Sequence, residues 1–153
     1  MFKITRDMIK AKGAFPAGYR EFCKTFPEED YPDGVEYQKI LDRCAENGRD
    51  SYASWLVYTF GKTTDVRKIE GDYISEKSIF VCGRLEVTGK ISCIGSIEAG
   101  DGIKAGRGIE AGENFGIYAG LIVRLDSNDR QVKAKQKPIN LICGEFVVDD
   151  DKE

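Results

Sequence analysis

The chain has 153 residues, with 23 basic and 26 acidic side chains, a net charge of −3 and no histidine. This length holds one ordinary domain, or a small module joined to a repeat, and the mild acidity supplies no field for nucleic acid and no polybasic membrane anchor. No apolar run reaches the roughly 20 residues that span a bilayer, and the opening MFKITRDMIKAKG lacks a signal-peptide core, so the expectation is a cytoplasmic protein without direct contact to nucleic acid or membrane.

Residues 1–64 are expected to form a helical N-terminal cap. Thr5 is placed to cap a short first turn, Arg6 to Lys12. Ala17 to Phe26 carries Tyr19, Phe22, Cys23 and Phe26 at helical spacing, and Gly34 to Ala45 carries Val35, Tyr37, Ile40, Leu41, Cys44 and Ala45. A third helix, Ser51 to Phe60, is predicted with Asp50 as its cap, Gly61 as its stop and Tyr52, Trp55, Leu56, Thr59 and Phe60 as its buried stripe. Pro27 and Pro32 mark one break and Asn47-Gly48 the other. The apolar face of this module is suited to cover the open end of whatever follows.

From Ile79 to Leu121 every sixth residue is large and apolar: Ile79, Leu85, Ile91, Ile97, Ile103, Ile109, Phe115 and Leu121. Two places after each comes Val81, Val87, Cys93, Ala99, Ala105, Ala111, Ile117 or Val123. Side chains alternate faces along a strand, so each pair points one way and the hexad reads as one short strand and a corner. Three hexads make an 18-residue triangular coil. The fold class is therefore α+β, a short triangular parallel β-helix over residues 65–125 behind a helical cap, with under three coils. Ile79, Ile97 and Phe115 should stack in one column, and Leu85, Ile103 and Leu121 in the next. Corner glycines, Gly100, Gly102, Gly106, Gly108 and Gly112, are expected to supply positive φ. The outward row, Phe80, Glu86, Ser92, Glu98, Lys104, Glu110, Gly116 and Ile122, is charged through its middle, with its apolar ends suited to pack under the cap and the closing segment.

Residues 126–153 are read as a loop, a closing strand and an acidic tail. Ile139 and Leu141 lie 18 residues beyond Leu121 and Val123, which places that strand directly over them. Asp149, Asp150 and Asp151 follow as a solvated end.

The strict hexads resemble hexapeptide-repeat β-helix proteins, and the I-x-A-G-x-G text resembles bactofilin-like scaffolds; the likeness covers about residues 73–125. The hexapeptide pattern puts a small residue four places after the aliphatic, where this chain has Gly83, Gly89, Gly95, Asp101, Arg107 and Glu113, so handedness is left open. The resemblance implies that enzymes on this fold use histidine as general base or metal ligand. This chain has none. The string Gly100-Asp-Gly-Ile-Lys-Ala105 matches a dinucleotide fingerprint only in letters, since it belongs to the six-residue repeat. The cysteines, Cys23, Cys44, Cys82, Cys93 and Cys143, are odd in number and contain no CxxC, so they read as reduced thiols, with Cys23 and Cys93 in the core. No catalytic residue, cofactor or metal is expected.

Charge is uneven in the cap: residues 3–24 hold six basic and two acidic groups, and residues 28–50 hold three basic and eight acidic groups. Glu28, Glu29, Asp30, Asp33 and Glu36 fall within nine residues around a Pro-bounded loop. They are the candidate partner-binding residues. The reading is a non-enzymatic protein-interaction module, an inhibitory factor of the kind phages and mobile elements use against host defence, docking by its cap and acidic surface on another protein, such as a nucleic-acid-binding complex. The alternatives are a self-assembling β-helix scaffold or homo-oligomer, and a histidine-less relative of hexapeptide acyltransferases.

Overall fold

The computed structural model describes residues 2–112, 116–119, 131–135, 137–138 and 141–148. Four helices at the N-terminus lead into a parallel β-solenoid of about 18 residues per turn and about four turns.

The cap begins with β1 (Lys3–Ile4), which pairs antiparallel with β2 (Val35–Glu36). Thr5 caps α1 (Arg6–Ala11), its hydroxyl accepting from the Met8 amide at 3.1 Å. Helix α2 (Pro16–Thr25) starts at a proline, whose missing N–H costs nothing in the first turn. Helix α3 (Tyr37–Glu46) starts later than its apolar spacing suggests, because Gly34 takes φ +98° and the next two residues extend into β2. Asp50 is the first residue of α4 (Asp50–Phe60), not its cap; Arg49 holds the cap position without a side-chain bond. The fully buried positions of α4 are Ala53, Leu56 and Val57, while Trp55 and Phe60 are half-buried against the same core. The Tyr37 hydroxyl lies 3.0 Å from the carbonyl oxygens of both Leu56 and Gly61, tying α3 to the end of α4.

Among the described residues the solenoid has three parallel sheets. One contains β3 (Val66–Ile69), β6 (Arg84–Val87), β9 (Ile103–Ala105), β12 (Gln131–Ala134) and β14 (Glu145–Val148). The second contains β4 (Tyr73–Ser75), β7 (Ile91–Cys93) and β10 (Ile109–Glu110). The third contains β5 (Ile79–Val81), β8 (Ile97–Ala99), β11 (Ile117–Ala119) and β13 (Leu141–Cys143). Ile79, Leu85, Ile91, Ile97 and Ile103 point inward and are buried, as the six-residue beat requires.

The beat slips after Ile109. Ile117, not Phe115, lies on Ile97, and Ala119 lies on Ala99, so this turn is two residues longer. Packing volume favours that register. It keeps alanine on alanine in the narrow ladder, whereas the unslipped register would set Ile117 over Ala99 and overfill it. The column over Leu85 and Ile103 is completed by Val132, not Leu121. Leu141 lies on Ile117, so the closing strand does not sit over Val123. Phe115, Leu121, Ile122, Val123, Ile139 and the tail from Asp149 lie outside the described residues. The solenoid exceeds three coils because both ends use strands without the isoleucine signature. Arg67 and Ile69 fill the inward pair of β3, and Val132 and Ala134 that of β12.

None of the five corner glycines has positive φ; among the described residues that conformation occurs at Gly13, Gly34, Gly48, Gly61, Gly71 and Gly144. Several corners need glycine for another reason. A Cβ at Gly83, Gly95, Gly100 or Gly106 would collide with the backbone or side chain of the coil beneath. Coils are further stitched by side chains one turn below: Ser78 Oγ accepts from the Ser96 amide at 2.9 Å, and Asp72 Oδ1 from the Lys90 amide at 2.9 Å.

Candidate functional site

The cap closes the N-terminal edge of the solenoid. The Ile79 amide bonds Ser96 O (2.8 Å) and Val81 O accepts from Gly100 (2.9 Å), so the alternate backbone groups of Phe80 and Cys82 face away from β8. Gln38 on α3 meets them with a single amide: its Nε2 donates to Phe80 O at 2.7 Å and its Oε1 accepts from the Cys82 amide at 3.0 Å. The side chain thus replaces a neighbouring strand. Beside it, Arg67 makes a two-pronged pair with Asp42, at 2.7 and 3.1 Å. Phe80, outward on β5, is buried in the core of the cap.

Helix α4 then extends over the flank of the same sheet. Asp50 Oδ2 accepts from Ser78 Oγ at 2.5 Å, and Glu98 Oε2 accepts from Ser54 Oγ at 2.7 Å. Glu98 is 6% exposed; the middle of the outward row is not uniformly solvated, because α4 lies on it. Burial pushes the Glu98 carboxyl above its ordinary value, aided by Asp50 and opposed by the Ser54 hydrogen bond. An acid whose folded pKa is raised binds more protons folded than unfolded between the two values, so it removes stability as pH rises through that window. Glu98→Gln is therefore expected to raise the urea midpoint at neutral pH and to flatten its decline above the usual carboxylate range. An unchanged pH profile would show that Glu98 does not titrate differently on folding.

The five acidic residues singled out from sequence sit on or beside the turn between α2 and α3. Glu28, Glu29, Asp30, Asp33 and Glu36 are all exposed. The turn is pinned. Asp30 and Tyr31 amides both donate to Pro27 O at 3.1 Å, Gly34 N donates to Tyr31 O at 3.1 Å, and the Tyr31 ring packs edge-on to Phe26 at 5.4 Å. Basic neighbours temper the patch: Arg6 pairs with Glu28 at 3.6 Å, and Lys3 lies opposite Glu36 across β1 and β2.

A half-open cavity of about 140 Å³ lies between α2, α3 and α4. Sequence reasoning missed it, because periodicity marks an apolar face without measuring how closely that face is packed. Burial pushes Cys44 and Cys93 up to about 11 and also raises Cys82, leaving little thiolate near neutral pH. Cys93 is buried in the solenoid core, while Cys23 is only half-buried; the Cys143 side chain lies outside the described residues. No group of three His, Cys, Asp or Glu is arranged to hold a metal among the described residues. None of their helices is long and apolar enough to cross a membrane. The Gly100–Ala105 string spans a corner and β9, with no helix after it among the described residues. Comparison with protein-family models, curated proteins and solved structures gave no match to any of them.

Proposed function

We propose that this chain is a protein-interaction module that docks on a basic surface of a partner protein through the acidic turn of its cap, acting as a small inhibitory factor. The observation that carries this reading is the display of Glu28, Glu29, Asp30, Asp33 and Glu36, all exposed, around a turn held by its own backbone bonds and the Tyr31–Phe26 contact. A rigid charged turn loses little conformational entropy on docking, and its field steers a complementary partner. A basic protein of a nucleic-acid-binding complex, in the cytoplasm, has the matching chemistry. The likeness to bactofilin-type rods is architectural on this reading, since Gln38 occupies the edge that axial polymerisation would use.

The test is capture of the partner from host lysate, followed by association kinetics with the purified partner. Changing Glu28, Glu29, Asp30 and Asp33 to Lys is expected to slow association by about tenfold or more at low salt, with a smaller difference at high salt. Undiminished association by that variant would remove the acidic turn from the interface, and tight binding of coenzyme A in calorimetry would favour the acyltransferase alternative.

A further inference from the structure

The geometry points to a binding site for a small uncharged ring compound in the cavity of the cap, independent of the acidic turn. Ile9, Phe22, Ile40, Tyr52, Trp55 and Leu56 line it. Its volume, about 140 Å³, is close to the ~150 Å³ of an apolar cavity that takes up one benzene molecule.

Two observations distinguish the cavity from a simple packing fault. Helix α2 carries an apolar stripe yet buries none of its residues fully, whereas α3 buries four and α4 three. The helix meets α4 at Gly18, against the Tyr52 ring, and at Glu21, bonded to Arg49, while its apolar stripe stays half-buried. Phe15, immediately before it and lining the cavity, is 72% exposed. An occupant would let this stripe complete its burial. The mouth also specifies charge. Arg49 is paired with Glu21 at 2.9 Å and Arg43 with Glu46 at 3.3 Å, so both guanidinium groups at the rim are already neutralised. An uncharged occupant fits this lining, because a carboxylate would lose its hydration against Ile9, Phe22, Ile40 and Leu56.

Toluene is a suitable probe, with benzoate as its charged counterpart. Trp55, the chain's single tryptophan, lines the cavity and reports occupancy through its fluorescence. Toluene at about ten times its Kd is expected to give a saturable fluorescence change and raise the melting temperature by about 3–5 °C; benzoate should bind at least about tenfold more weakly. Gly18→Leu should abolish the toluene response, because a Cβ at Gly18 meets the Tyr52 ring at 3.6 Å and the larger side chain continues into the space. Cys44→Leu fills the cavity from α3 and decides the matter should the first variant not fold. The inference is overturned by a non-saturable toluene response, by equal binding of benzoate, or by a response that survives in a folded filled variant.

Discussion

Gly106→Ala is expected to destabilise the protein by about 3–5 kcal/mol, a large part of the total stability of an ordinary domain. The backbone at Gly106 does not need a glycine for its φ. Its amide bonds Val87 O at 2.9 Å, and this contact brings the two coils so close that an added Cβ would overlap the Thr88 carbonyl oxygen. The obstacle is backbone rather than a flexible side chain, so the coils must separate or the corner must rebuild. Gly108 provides the control within the same corner. A Cβ there meets nothing within 4 Å, and its φ is not positive. Gly108→Ala should be neutral or stabilise by about 0.4–1 kcal/mol through the unfolded chain. Urea titration of the two variants separates close approach from backbone freedom; equal effects would show that the coils are not held this tightly.

Ile97→Ala should cost about 3–4 kcal/mol. Ile97 is fully buried between Ile79 below and Ile117 above, so its loss leaves a cavity bounded by two coils. Ile74→Ala, on the 62%-exposed outer face of β4, should change stability by no more than about 0.5 kcal/mol. A solenoid communicates through nearest neighbours, so damage in the second coil loosens its contact with the first. The cap is joined to these coils through Gln38, Phe80, Arg67 and Glu98. In Ile97→Ala the transition reported by Trp55, which lies in the cap, should therefore shift together with the β-sheet signal in circular dichroism. A Trp55 transition that stays at the wild-type midpoint would show that the cap folds alone.

The helical cap and the solenoid were both legible because each is written in a local period. Thr5 caps α1 as its position suggests, and five consecutive inward isoleucines or leucines, from Ile79 to Ile103, lie where six-residue spacing puts them. The acidic residues were readable as exposed because a Pro-bounded turn cannot bury five carboxylates without partners. The burial of Glu98 was not readable for the complementary reason: nothing within its own hexad announces that α4 will cover it. Gln38 likewise looks like an ordinary polar residue on a helix until the free edge of β5 is set beside it. The cavity depends on how three helices pack against one another, which none of their sequences encodes separately.

Alternation along each strand and helical spacing in the first sixty residues were enough to determine the architecture, since both follow from which side chains must leave water. Tertiary structure decided which coil lies on which, because register is set by volumes meeting across the core. Ile117 takes the place above Ile97 expected for Phe115, and Val132 the place expected for Leu121. It also decided the meaning of Gly83, Gly95, Gly100 and Gly106, since the nearest atom that a Cβ there would strike belongs to a residue about 18 positions away. Contacts at that separation exist only once the turns have stacked.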